Sequence, residues 1–174
     1  TELKREHNKL SEETLPKLGM AMRVGLEKMD ASTTDAGNRE ASGAVGTALT
    51  RMMVFRLRAN SALVRHNPEE AKDAATAYAD LVKSMDALDV VTRNTPFRRD
   101  FDDQIAVTKN YYASYQRAIA LADEMDKLVD GTMREIAQGI ARDAAFVDDS
   151  GIADEHVLKA EIDSLLSNTQ MVVL

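Results

Sequence analysis

The chain has 174 residues, of which 44% are hydrophobic but only 5% aromatic, with three prolines and no cysteine. That make-up belongs to packed helices and leaves no alternating run from which to build a sheet. The formal charge is −7, with acids and bases interspersed along the sequence. The clustered positive surface that binds nucleic acid is therefore absent, and the missing cysteines exclude disulfides and thiolate chemistry.

No stretch approaches the ~20 consecutive apolar residues of a membrane span. The chain opens on Thr1 without a signal peptide and closes on Met171-Val172-Val173-Leu174, which reads as helix interior, so a longer natural chain is expected.

In chain order, Leu15, Leu18, Met22, Leu26 and Met29 predict a first helix over 2–30. Pro16 should kink it, because proline offers no backbone donor and crowds the preceding turn. A break at Ser32-Thr33-Thr34-Asp35 and Gly37 leads to a second helix, ending near Arg65, with Ala41, Val45, Ala48, Met52, Phe55, Ala59 and Leu63 on one stripe. At His66-Asn67-Pro68 the chain turns sharply: Asn67 can cap, Pro68 suits the first helical position, and Glu70 can reach back to the cap. The third helix should then run antiparallel to the second, burying Ala71, Tyr78, Val82, Met85 and Leu88.

Asn94-Thr95-Pro96 repeats the start signal. From Phe101 through Val147 the three-four apolar spacing persists, interrupted by Thr108 and Asp126. A helix over 97–148 would be ~78 Å long at 1.5 Å per residue, which implies an extended bundle. Asp148-Asp149-Ser150-Gly151 should end it, and Leu158, Ile162, Leu165 and Val172 mark a fifth and final helix. Residues 9–30 also align on 127–148, pairing Lys9 with Lys127, Leu10 with Leu128, Thr14 with Thr132 and Asp30 with Asp148. The expected fold is all-α: an elongated antiparallel bundle of three- or four-helix modules, with two modules stacked and divided near 95–130 as the alternative to one.

No catalytic constellation is present. The acid-x-x-histidine spacing of di-iron bundles fails at every histidine, since Lys4, Leu63 and Ala153 precede His7, His66 and His156 by three. Neither a zinc spacing nor a glycine-rich elbow or phosphate loop occurs, so no metal, no cofactor and no enzymatic activity is expected. The segment Arg51-Met52-Met53-Val54-Phe55-Arg56-Leu57-Arg58 departs from plain amphipathicity. On a helical wheel Arg56 falls inside the apolar stripe, while Arg51, Arg58 and Arg65 follow its edge. A guanidinium pointed into a bundle needs an anion, so Arg56, with Arg51 or Arg58 as second contact, is the candidate site for a small organic anion. The competing reading pairs Arg56 with solvent or with an acid of a neighbouring helix.

Tyr111-Tyr112-Ala113-Ser114-Tyr115, the run Glu124-Met125-Asp126-Lys127-Leu128-Val129-Asp130-Gly131-Thr132, and the Leu49–Ala71 hairpin together resemble the periplasmic helical-bundle sensor regions of bacterial methyl-accepting chemotaxis proteins, most nearly the helical bimodular type or a longer multi-module relative. The resemblance implies a membrane-anchored homodimer whose periplasmic helices receive a small molecule, often an organic acid, and pass an axial shift to a cytoplasmic signalling region. The alternative is a structural or protein-interaction helical bundle without a small-molecule ligand.

Overall fold

The computed structural model describes residues 2–172, and their side chains except for 149–154 and 163–172. The elements are α1 (Glu2–Asn8), a π-helical turn (Lys9–Thr14), α2 (Leu15–Asp35), α3 (Arg39–Arg65), α4 (Pro68–Thr92) and α5 (Arg98–Val172). Among the described residues there is no strand. The chain divides into two units, 1–126 and 127–174.

The first unit is an up-down-up-down bundle in which α1 and α2 together form one wall. Lys28 meets Asp100 at 3.3 Å, and Glu6 meets Arg117 at 2.9 Å, so α1–α2 and the first part of α5 run antiparallel side by side. Phe55 of α3 occupies the centre. Fully buried, it holds Tyr78 of α4 and Tyr111 of α5 at centroid distances of 5.3 and 5.4 Å, tilted arrangements that aromatic quadrupoles favour.

Pro16 acts one turn earlier than a simple kink would. With no N–H of its own, and a ring that would crowd the carbonyl four residues back, it follows a widened turn in which the Leu15 N–H reaches the Leu10 carbonyl. Ser11 Oγ donates to the His7 carbonyl at 2.9 Å and Thr14 Oγ1 to that of Lys9 at 3.2 Å. These hydroxyls serve carbonyls near the irregular turn.

The first helix outruns its expected end and stops only at Asp35. Thr33 is buried with its hydroxyl donating to the Met29 carbonyl, so the capping cluster lies largely inside the helix. Gly37, at φ +68°, then reverses the chain, and Asn38 caps α3 by accepting from the Ala41 N–H. At the next turn His66 takes a left-handed conformation (φ 49°) and Asn67 accepts from the Glu69 N–H at 2.9 Å. Glu70 does not reach back to this cap. It pairs with Arg65 at 2.7 Å, the stronger, charge-assisted choice.

The buried face of α4 is rotated from expectation. Met85 and Leu88 are buried, but Ala71 and Tyr78 are half-buried and Val82 is exposed, while Ala74, Ala77, Leu81 and Ser84 face the core. Small residues at 74 and 77 fit the close approach of α3, which the larger side chains counted from the sequence would obstruct.

α5 does not break at Asp148–Gly151. Aspartate and glycine lower helix stability by roughly 0.7 and 1 kcal/mol each but, unlike proline, do not forbid a helix. The expected fourth and fifth helices are therefore one, and the count of five is restored by the π turn that separates α1 from α2. Within the second unit Val129, Met133, Ile136, Ile140, Leu158 and Ile162 are all at least half exposed. At 3.6 residues per turn they lie within about 80° of one another on the helix. Leu165 and Val172, expected on the same stripe, lie outside the described side chains.

Candidate functional site

The inner face of α5 carries Gln104, Thr108, Tyr111 and Tyr115, spaced four, three and four apart, so four polar-tipped side chains enter a core built mainly of Leu, Met, Ala, Val and Phe. All four are buried, at 7, 4, 1 and 3% exposure. Arg56 of α3 completes this seam. Its guanidinium reaches the Tyr111 hydroxyl, a contact that opposes the upward push of burial on that phenol without overcoming it.

Two glycines of α2 make the room. An added Cβ at Gly19 would lie 2.7 Å from Arg56 Nε and 2.9 Å from Cζ, and one at Gly25 would lie 1.7 Å from Gln104 Nε2. Those distances are below any tolerable contact, so each glycine is the seat of a polar side chain from another helix.

The seam is incompletely satisfied. Arg56 Nε, Gln104 Oε1 and Tyr115 Oη are buried without a hydrogen-bond partner. A polar group left so costs about 1–3 kcal/mol, and three in one helical interface is a concentrated departure from the usual rule. Tyr115 is pushed up to about 12 by burial, with Tyr112 and Tyr111 adding to the shift.

The three arginines singled out from the sequence are not brought together. Arg56 turns inward to Gly19 and Tyr111. Arg51 is exposed, and Arg58 points to Asp73 of α4 at 3.7 Å. No carboxylate lies within ion-pair distance of Arg56 in the described part of the structure. Gln104, Gly19 and Gly25 escaped notice in the sequence, although two glycines inside a strongly periodic helix, each costing about 1 kcal/mol there, were a readable signal.

At the hairpin end, His66 faces Asp126 at 3.8 Å and lies 6.3 Å from the His7 ring. Among the described residues no group of three or more metal-ligating side chains assembles, and no helix is long and apolar enough to cross a membrane. Compared with known proteins, the chain matches no protein-family model, no curated protein and no solved structure.

Proposed function

We propose that the chain is a sensing and relay region of a bacterial chemoreceptor, periplasmic in a membrane-anchored parent protein, with α5 as the moving element. The observation that carries this reading is the unsatisfied polar seam on the inner face of α5. A helix held by apolar packing alone sits in one deep well. Unpaired Arg56, Gln104 and Tyr115 atoms raise the energy of the described arrangement and bring a shifted one within reach, which is what a two-state relay requires. A stimulus would act by favouring one arrangement over the other, and α5 itself runs on to Val172.

A small organic anion is the ligand class this reading assigns to Arg56, whose guanidinium meets no carboxylate among the described residues. The test is a chimeric receptor carrying residues 1–174 as its sensor region, with kinase output as readout. Gln104→Met, which removes the orphaned amide, should bias the basal output, and Arg56→Ala should bias it as well. Output that is indifferent to both substitutions would sink the relay. Calorimetric titration with di- and tricarboxylates tests the anion separately: binding that survives Arg56→Ala unchanged removes Arg56 from the site.

A structural or protein-interaction bundle is the second reading. The exposed apolar stripe from Val129 to Ile162 favours it, because a helix face of this kind is normally covered by a partner. In either reading two copies pair, and the stripe is the surface we assign to that pairing.

A further inference from the structure

Between α4 and α5, away from the polar seam's arginine, runs a groove made of two contiguous cavities of about 320 and 210 Å³. Both are walled by Ala71 and Ile119 and share Asp123. The larger opens beside Tyr112 and Tyr115, and the smaller closes against His66 and Pro68. Alanines on α4 keep the groove open where larger side chains would fill it.

Its chemistry is one-sided. No lysine or arginine lines it, and the only side chain there able to carry positive charge is His66, which already faces Asp126. The neighbouring arginines are engaged elsewhere, Arg65 with Glu70, Arg58 with Asp73 and Arg117 with Glu6. Asp123 is exposed and makes no ion pair among the described residues. Tyr112 lies stacked on Tyr78 at 3.6 Å, which fixes its ring as a rigid wall. Tyr115 is 3% exposed, and its hydroxyl has no partner.

We propose that this groove binds a small organic ammonium ion, with the charged head at Asp123 and the apolar body along Ile119 toward the Tyr112 and Tyr115 rings. The Asp123 carboxylate attracts an ammonium head by charge, while the Tyr112 and Tyr115 rings, two to three turns earlier on α5, offer the far end of the ligand an aromatic surface. The walls supply the apolar lining of a small-molecule site. The proposal stands on the groove alone and does not depend on the relay reading: a chain that bound an amine without transmitting anything would satisfy it.

The experiment is calorimetric titration of the whole chain with phenethylammonium, with neutral 2-phenylethanol and anionic 3-phenylpropionate as shape-matched controls. Saturable binding of the ammonium compound is expected, with neither control binding detectably. Asp123→Asn should weaken it at least tenfold, with Arg56→Ala leaving it unchanged. Asp123 is on the surface, so the helical content of Asp123→Asn should match that of the parent. Equal binding of all three compounds, indifference to Asp123→Asn, or no binding of phenethylammonium up to millimolar concentration would each overturn the proposal.

Discussion

Arg56 lays its guanidinium across the backbone of Gly19, so close that a methyl group at position 19 would sit 2.7 Å from Nε. The two positions are therefore coupled. In the parent chain Gly19→Ala should gain about 1 kcal/mol of helix propensity and lose a comparable amount by displacing Arg56 from Tyr111. With Arg56→Ala already in place, only the gain remains. A double-mutant cycle from denaturant unfolding should show the alanine stabilising by about 1 kcal/mol in that background and by much less in the parent. Equal effects in both backgrounds would refute the coupling.

Gly25 and Gln104 form the tighter pair, because Gln104 is buried and its amide has less room to leave. Gly25→Ala should cost about 1–3 kcal/mol as overpacking, and Gln104→Ala should restore most of it. Gln104→Met, close in shape and free of the orphaned Oε1 atom, should raise stability by about 1–2 kcal/mol. Thermal melting of the three variants checks both statements. A destabilised Gln104→Met would mean that the amide is satisfied after all.

Asp89 near the end of α4 receives Arg93 and Arg98, and these hydrogen bonds, that of Arg93 first, hold its carboxyl below the usual aspartate range. A carboxyl whose folded value is depressed contributes stability above its unfolded value and loses it as pH falls through the folded one. The chain should therefore be evenly stable from neutrality down to pH ~4 and weaken below. Asp89→Asn should flatten that acid limb and lower stability at neutral pH, as read from urea unfolding at a series of pH values.

The tyrosines set the opposite limb. Burial raises Tyr78, Tyr111 and Tyr115, the last to about 12. Their neutral form is the one the fold prefers, so the stability they contribute is intact below the ordinary phenol value near 10 and drains away as pH climbs through the raised values. An ultraviolet titration should show at least three tyrosines ionising late, together with loss of helix. Ionisation of all four at the ordinary value with the helix intact would contradict the packing described.

Self-association provides a further check. Ile136→Glu with Ile140→Glu, both on the exposed stripe, should reduce any dimer seen by sedimentation at high concentration while leaving melting of the first unit unchanged. A dimer that withstands both charges lies elsewhere.

Much of the fold was legible because local signals and tertiary packing agreed. Asn67-Pro68 starts a helix whatever surrounds it, and Met22, Leu26, Val45, Met52 and Phe55 face inward as their spacing says. Reading failed where packing outvoted local preference. Serine and threonine at 32–34 suggested a cap, yet Thr33 could bond back to Met29 inside the helix, and Asp148–Gly151 suggested a stop that only proline could have enforced. The polar seam was half visible: Arg56 and Thr108 stood out on their stripes, but the glycines that receive Arg56 and Gln104 are only meaningful once α2 is laid beside α3 and α5. The groove between α4 and α5 could not be read at all, since it depends on which alanines of α4 meet which turn of α5.

The π turn over 9–14 has an effect that reaches past Pro16. A turn of this kind takes up one residue more than an α-helical turn, so the residues before it stand about 100° around the axis from where unbroken α-helical spacing at 3.6 residues per turn would put them. α1 and α2 are thus two pieces of one rod geared out of step, and the offset is what turns Glu6 toward Arg117 while Leu15, Met22 and Leu26 still face the core. Deleting a single residue from that turn would let it close into ordinary α-helix with Glu6 and His7 still turned toward Arg117 and His66, whereas tightening the turn to α-helical spacing with all its residues kept would swing both a quarter-turn away. The angular setting of the first eight residues is therefore stored in the width of one turn and in no particular side chain.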